Sequence, residues 1–297
     1  MEEKPKRTWQ EAVVRWLKEH EHKKSIDKDK QRLKILDQWF RGVLLSDIDR
    51  NLVDRAKEER KDQYKMCNGK VGRDKVSKAE VNRMLALLRS ILFAARDDWE
   101  WIESCPKIKL FKEPKRRVRW LRPEEAARLV EELPAHLKAV VRMSLATGLR
   151  EQNVLGLKWQ NIDLARRVAW IDGDETKNAK ALSVPLNDEA MNVLLAERFK
   201  HDENVFTYRG MPLKGANTRA WQNALKRAGI ENFRFHDLRH TWASWHVQNG
   251  TSLNVLQELG SWESVEMVRR YAHLAPDTLA TAAANSLPEW HKNVTAG

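Results

Sequence analysis

The sequence predicts a mainly α-helical protein with a small antiparallel β-sheet, built as a helical N-terminal domain and a mixed α+β domain. Two observations support this prediction. Apolar residues recur at helical spacing along most of the chain, as in the stripe of Val81, Leu85, Leu88 and Leu92. Between residues 162 and 186 the pattern changes to short β-prone runs separated by turn-rich residues.

Helices account for the predicted N-terminal domain, residues 1–105. Thr8 is a predicted N-cap, and Glu11 three residues later completes a capping box for the first helix. Ser77 is the predicted N-cap of the helix that carries the apolar stripe. Between these helices, the polar, glycine-containing stretch KMCNGKVGRDK is predicted to be a loop.

Residues 106–119 are predicted to be a basic linker. The segment contains two prolines, which disfavour helix, and seven Lys or Arg residues, which repel one another and favour an extended chain. Its charge density favours contact with DNA phosphates over a bare tether. The candidate DNA-binding residues are Lys115, Arg116, Arg117 and Arg119.

The second predicted domain comprises residues 120–297. Pro123 suits the first turn of its first helix, and Gly148 suits the end of its second helix. The runs 167–171 and 181–185 are predicted to pair as an antiparallel sheet. Further helices are predicted around residues 190–199, 217–228, 236–249, 253–259 and 265–271, with stops at Gly229, Gly250 and Gly260, and in a C-terminal tail at 278–290.

Composition favours an acidic partner and an intracellular setting. The formal net charge is +12 at pH 7, and nucleic acid is the most common partner of a chain with such an excess of Lys and Arg. Cys67 and Cys105 have neither metal-ligand spacing nor a disulfide framework. The sequence shows no signal peptide and no run of membrane-spanning length. We therefore expect a soluble, cytoplasmic protein that acts near DNA.

Four short segments carry residues suited to chemistry. They are Ala146-Thr147-Gly148-Leu149-Arg150, then Thr176-Lys177-Asn178-Ala179-Lys180 at the sheet turn, then His236-Asp237-Leu238-Arg239-His240, and finally Leu259-Gly260-Ser261-Trp262 followed by Arg270-Tyr271-Ala272-His273-Leu274. Each segment alone has an ordinary structural explanation. A His and an Arg on a helix are usually solvated residues, and an isolated tyrosine is usually a core residue.

The third segment also has the histidine spacing of a zinc-binding helix. That alternative is weak, because Arg239 would lie beside the metal and no third ligand is indicated. We expect neither a metal ion nor a cofactor.

Taken together and in this order, the segments resemble the catalytic domain of the tyrosine recombinase (phage integrase) family. The resemblance covers Trp120 to about Pro276, and the preceding helical segment resembles the core-binding domain of that family. It implies a site-specific DNA recombinase that cleaves and rejoins strands through a 3′-phosphotyrosyl intermediate. The implied catalytic residues are Arg150, Lys177, His236, Arg239, Trp262 and Tyr271, with Lys180 as a less favoured alternative to Lys177.

Two positions depart from the family pattern. Asn153 stands where an acidic residue is common, three places after the first arginine, and Ser261 stands where glycine is expected. Asn153 leaves open how Arg150 or His236 is supported. Neither change removes a group that the chemistry needs.

These residue types suit phosphoryl transfer. Each guanidinium can donate two hydrogen bonds to the charged oxygens of a phosphate, and so stabilise charge that develops during attack. A phenol with a pKa of about 10 must lose its proton as it attacks, and His236 is the best available base. Lys177 at the hairpin turn is a suitable acid for the leaving 5′-oxygen.

Three functions remain as alternatives: a recombinase, a type IB topoisomerase-like strand transferase, and a DNA-binding protein that does not cut. The predicted C-terminal domain is compact and has a tail, which disfavours a topoisomerase, and six usable catalytic positions disfavour a non-cutting protein. The expected partners are double-stranded DNA, a homo-oligomer of four copies on two DNA sites, and accessory factors that bend DNA or set the direction of the reaction. In the family the tail docks on a neighbouring protomer, and packing on its own domain is the alternative.

Overall fold

The computed structural model describes residues 6–67, 70–113, 118–171 and 182–275. The chain divides into two units, Met1–Arg116 and Arg117–Gly297, and the division falls inside the predicted linker. Helices dominate both units, and three small antiparallel sheets are present in the described ranges. The prediction of a mainly α fold with a small antiparallel sheet is confirmed. In the same ranges no helix combines the length and the hydropathy needed to cross a membrane.

Capping boxes begin two helices of the first unit, at the N-caps Thr8 and Ser77 that the sequence predicts. The Thr8 side chain accepts the backbone N–H of Glu11, and Ser77 accepts that of Glu80. A core that includes Trp9 packs the helices together. The helices of this unit are α1 (Trp9–Glu19), α2 (Ile26–Phe40), α3 (Arg50–Asp62) and α4 (Lys78–Phe93).

The predicted loop between α3 and α4 is wrong, because this segment forms a hairpin. Strands β1 (Tyr64–Cys67) and β2 (Lys70–Lys75) pair antiparallel, with Met66 opposite Val71. Both of those apolar side chains are more than half exposed, so the hairpin depends on backbone pairing. Strands without a buried face lack the alternation that reveals a strand in a sequence.

The described start of the predicted linker is held on the first unit. Asn82 of α4 donates to the backbone oxygen of Phe111 at 2.9 Å and accepts its backbone N–H at 2.8 Å. Ile108 and Phe111 pack against the core. Residues Lys115, Arg116 and Arg117 lie outside the described residues.

The second unit consists of helices and a small three-stranded sheet. Its sheet has the order β3-β4-β5, and the predicted pairing of residues 167–171 with 181–185 is confirmed by partners such as Ala169 and Val184. The strands are β3 (Ile162–Asp163), β4 (Val168–Ile171), β5 (Leu182–Pro185), β6 (Thr207–Tyr208) and β7 (Met211–Pro212). The helices are α5 (Pro123–Glu132), α6 (Ala135–Thr147), α7 (Glu151–Leu155), α8 (Asp188–Glu197), α9 (Arg219–Arg227), α10 (Asp237–Gln248), α11 (Leu253–Gly260) and α12 (Val265–Arg269).

Helix ends in this unit follow the sequence with one exception. Gly148 ends α6 in the left-handed conformation, at φ 65°, as predicted. The predicted stop at Gly260 is wrong by one residue: Gly260 is the last residue of α11, and Ser261 takes the left-handed conformation at φ 49°. A serine there pays a steric cost that a glycine would avoid.

Replacement of Ser261 by glycine is therefore expected to stabilise the second unit by about 1 kcal/mol, the low end of the cost of a left-handed L-residue. The measurement is the free energy of unfolding in urea, followed by tryptophan fluorescence. The control is Ser252→Gly at the other end of α11, where φ is −64° and the hydroxyl accepts the N–H of Val255. This control should lose stability, and a loss at Ser261→Gly as well would contradict the prediction.

Candidate active site

Hydrogen bonds to buried side chains fix the first turn of helix α10, which carries polar side chains of the site. The buried carboxylate of Asp237 accepts the backbone N–H of Arg234 at 2.8 Å and its guanidinium at 2.9 Å. Thr241 is also buried, and its hydroxyl accepts the backbone N–H of Leu121 at 3.1 Å. These bonds fix where the helix begins and how it is rotated. His236, Arg239 and His240 are thereby placed by the backbone of α10.

Arg239 is a buried cation that joins two separate segments. Its side chain is 5% exposed. Nη1 donates to the backbone oxygen of Gly148 at 2.6 Å, and Nη2 donates to the backbone oxygen of Gly260. Because each glycine belongs to a different motif, the arginine brings the end of α6 and the end of α11 to the same place.

Trp262 covers the guanidinium from one side. The Cζ of Arg239 lies 4.2 Å from the centroid of the Trp262 ring, within the range of a cation–π interaction. The same indole stacks on Trp242 of α10 at 6.0 Å and lies 6.1 Å from the Tyr271 ring. Trp262 therefore contacts the buried cation, the aromatic core and the tyrosine ring.

Two glycines make room for these tryptophans. A Cβ at Gly148 would lie less than 3.0 Å from the Trp242 ring, and a Cβ at Gly260 would lie less than 3.0 Å from the Trp262 ring. Both positions therefore exclude any larger residue unless a ring moves.

Tyr271 follows α12 and is enclosed, with 0% of the residue exposed. Its hydroxyl lies 2.5 Å from Nδ1 of His240. Burial raises the pKa of the Tyr271 phenol to about 12, although the charges of Arg270 and Arg239 act in the opposite direction. Burial is also the largest cause that lowers the pKa of His240 to about 4, followed by the charge of His236.

His236 lies at the open edge of this cluster, at the N-cap of α10. Although the side chain is exposed, its ring is partly desolvated by the surrounding protein, and this lowers its pKa, as do the charges of Arg239 and Arg150. Its ring meets that of His240 edge-on, with 5.2 Å between centroids. The group nearest the phenol oxygen is thus His240 and not the predicted base.

Arg150 lies at the N-cap of α7, and its charge acts on two other side chains of the site. It lowers the pKa of both Arg239 and His236. Together with burial, which is the larger cause, it brings the pKa of Arg239 to about 9. Arg239 remains charged at pH 7, and a second positive charge beside it makes the site a strong attractor of an anion.

The structure therefore groups five of the six predicted catalytic residues. These are Arg150, His236, Arg239, Trp262 and Tyr271. Lys177 and the alternative Lys180 lie outside the described residues.

The remaining predicted residues have other environments. Arg119 donates to Glu125 at 2.9 Å and to the backbone oxygen of Trp120 at 2.5 Å. Asn153 is buried, and among the described residues its Nδ2 has no hydrogen-bond partner. Within those residues there is also no cluster of three metal-binding side chains.

Sequence reasoning missed His240 and the two glycine carbonyls. His240 follows His236 by four residues, so helical spacing places it on the same face, and this signal could have identified it. The carbonyl acceptors leave no mark in the sequence, because every residue has a backbone oxygen.

Comparisons with known proteins identify the family of the chain. The model of the phage integrase family matches residues 119–278. The chain is 43% identical to the integrase of Salmonella phage P22, over 95% of this chain and 80% of that protein. It is 34% identical to the shufflon-specific DNA recombinase of Escherichia coli, over 64% of this chain and 50% of that protein.

Solved structures share the fold. The Tn1549 transposon integrase in complex with a circular intermediate DNA matches with a TM-score of 0.73 at 16% identity, over 93% of this chain and 99% of that chain. A lambda integrase dimer bound to a COC′ core site matches with a TM-score of 0.70 at 18% identity, over 88% and 97% of the two chains.

Fold and site thus define an enzyme of the tyrosine recombinase class. The chain belongs to the phage integrase family and is a tyrosine-type site-specific DNA recombinase. The resemblance drawn from the motifs is confirmed.

Gly260→Ala is expected to displace Trp262 and with it the cover of Arg239, because the new methyl group would overlap the indole. Overpacking of this kind costs roughly 1–3 kcal/mol of stability. DNA cleavage should fall together with the midpoint of urea unfolding. The control is Gly215→Ala, since the nearest atom to its Cβ is a Glu151 oxygen at 4.0 Å. Equal behaviour of the two variants would refute the packing argument.

Proposed function

We propose that Tyr271 is the nucleophile with which this recombinase cuts DNA. Its phenol oxygen attacks a backbone phosphorus, a 3′-phosphotyrosyl bond forms, and the bond from phosphorus to the 5′-oxygen breaks. The covalent link keeps the energy of the broken ester, so attack by a 5′-hydroxyl rejoins the strand without ATP. The observation that best supports this is the position of Tyr271 next to Trp262 and the charge of Arg239.

Arg150 and Arg239 are proposed to bind the non-bridging oxygens of the phosphate. Two carbonyl bonds occupy part of the Arg239 fork and hold the rest in a fixed direction. The charges of the two arginines already act on each other, which is unfavourable until an anion lies between them. Preorganised donors of this kind are each worth roughly 10²–10³ in rate.

Two proton transfers complete the proposed reaction. His236, whose lowered pKa keeps it neutral at pH 7, accepts the phenol proton when Tyr271 attacks. Lys177 donates a proton to the 5′-oxygen as it leaves. The sequence position of Lys177 between β4 and β5, two strands that pair antiparallel, supports this assignment.

The proposed partners are double-stranded DNA and further copies of the chain. A net charge of +12 suits DNA, and the lambda integrase neighbour is a dimer bound to a core site. We infer that four copies act on two DNA sites, inside a bacterial cell and on its nucleoid, with accessory factors that bend DNA or set direction. Residues 1–105 would form a core-type DNA-binding domain, and the basic linker 106–119 would contact the DNA backbone.

Tyr271→Phe should bind DNA as the parent does and form no covalent adduct, because only the nucleophilic oxygen is lost. The assay incubates the protein with nicked genomic fragments and separates covalent complexes on a denaturing gel, and sequencing of the trapped fragments identifies the site. Tyr208→Phe, an exposed tyrosine of the same unit, is the control and should form adduct. Adduct formation by Tyr271→Phe at the parental rate would refute the assignment.

Lys177→Ala should cleave normal DNA slowly and recover on a substrate with sulfur at the bridging 5′-position, because a thiolate leaves without a proton. Single-turnover cleavage of both substrates is the measurement. Arg150→Ala is the control: it should stay slow on both substrates, since its charge acts on other oxygens. Sulfur rescue at Lys180→Ala instead would transfer the acid role to Lys180, and full speed at Lys177→Ala on normal DNA would remove Lys177 from the mechanism.

A further inference from the structure

The mechanism leaves one contact unexplained, the short hydrogen bond between Tyr271 and His240. We propose that His240 is a positioning residue: it holds the nucleophilic hydroxyl in a closed, unreactive position, and this bond must open before Tyr271 can attack. The proposal rests on the proposed role of Tyr271 as nucleophile.

The bond joins two parts of the chain that meet at the site. His240 is one turn after His236 on α10, and Tyr271 follows α12. The bond therefore ties the segment that carries the nucleophile to the helix that carries Arg239. The charged and titratable groups whose charges act on the pair are His236, Asp237, Arg234, Arg270 and Arg239.

The burial of Tyr271 makes this position unreactive, because the phenol oxygen is not accessible to a phosphate. Attack requires the phenol oxygen to come within roughly 3–3.5 Å of phosphorus. No part of Tyr271 is exposed, so a phosphate on a DNA backbone cannot reach the oxygen where it lies. The side chain must first move toward the open edge of the cluster, where the exposed His236 lies.

The protonation states of Tyr271 and His240 also keep the phenol unreactive in this position. The pKa of the phenol is raised to about 12 and that of His240 is lowered to about 4, so at pH 7 the imidazole is neutral and the phenol keeps its proton. The phenol O–H then donates to Nδ1 of His240. In this position His240 accepts a hydrogen bond and does not take the proton, and that separates its role from the one proposed for His236.

The first test measures the enclosure of Tyr271 without DNA. Tetranitromethane nitrates accessible tyrosines, and peptide mass spectrometry follows each of the three tyrosines of the chain. Tyr64 and Tyr208 are 49% and 45% exposed and serve as internal controls. In the parent, both should react while Tyr271 is protected.

Two substitutions at position 240 separate the hydrogen bond from the ring. His240→Phe keeps a ring and removes the acceptor, so nitration of Tyr271 should rise by about two- to tenfold, as expected for the loss of one net hydrogen bond that opposes local opening. His240→Asn places an oxygen near the position of Nδ1 and should restore most of the protection. His246→Phe makes the same substitution six residues further along α10 and should leave Tyr271 protected. Unchanged protection in His240→Phe would overturn the proposal.

The second test measures cleavage in preassembled complexes with DNA. Loss of the closed position should raise the single-turnover rate of His240→Phe by about two- to tenfold, with His240→Asn between it and the parent. A slower His240→Phe would show that His240 acts as a base or aligns the attack, which overturns the proposal. Equal rates in parent and both variants would also overturn it.

A third measurement covers the case in which His240→Phe does not fold. In Tyr271→Phe, which removes only the hydroxyl, the ¹⁵N signal of His240 Nδ1 should move while the signals of His246 stay. No change at His240 would show that the bond is not formed in solution. Nitration and ¹⁵N shifts are measured without DNA. They therefore test the hydrogen bond between His240 and Tyr271 even if the adduct assay rejects Tyr271 as the nucleophile.

Discussion

The site depends on a single buried interaction, the anchoring of the Arg239 guanidinium by two backbone oxygens. Burial of a cation is costly unless its donors are satisfied, and the bonds to Gly148 and Gly260 meet that requirement without a carboxylate. A neutral acceptor leaves the positive charge uncompensated. The pKa of Arg239 is accordingly lowered to about 9, first by burial and then by Arg150. A bound phosphate would supply the missing negative charge. The buried cation is therefore more stable with the anion bound than without it, and this difference favours phosphate binding.

This anchoring also explains why small residues lie beside large ones here. Gly148 and Gly260 each offer a carbonyl to Arg239, and each sits against a tryptophan that leaves no room for a Cβ. The two indoles stack on each other, and Trp262 covers the guanidinium. Backbone, cation and aromatic rings therefore form one packed unit around the donors that are proposed to bind the phosphate.

Sequence reasoning was most successful where a local signal exists. Caps at Thr8 and Ser77, the stop at Gly148 and the pairing of β4 with β5 follow from turn chemistry and alternation. The exposed hairpin was missed because neither strand has a buried face. The left-handed residue at the end of α11 was misplaced because glycine is the usual choice, whereas the chain uses Ser261. Within the site, the motifs predicted which side chains take part. They could not predict hydrogen-bond partners such as His240, the partner of Tyr271, because these depend on tertiary contacts.

The enclosure of Tyr271, the proposed nucleophile, is consistent with the electrostatics of the same cluster. A phenol that faced two arginines in water would have its pKa lowered and would be ready to react with any phosphate that arrived. Burial beside a neutral His240 has the opposite effect, and it dominates the shift of Tyr271. The charges proposed to stabilise the transition state can therefore stay in place permanently, while the proposed nucleophile, Tyr271, stays protonated until it leaves His240. Control of the reaction then lies in the movement of one side chain and not in assembly of the cationic site.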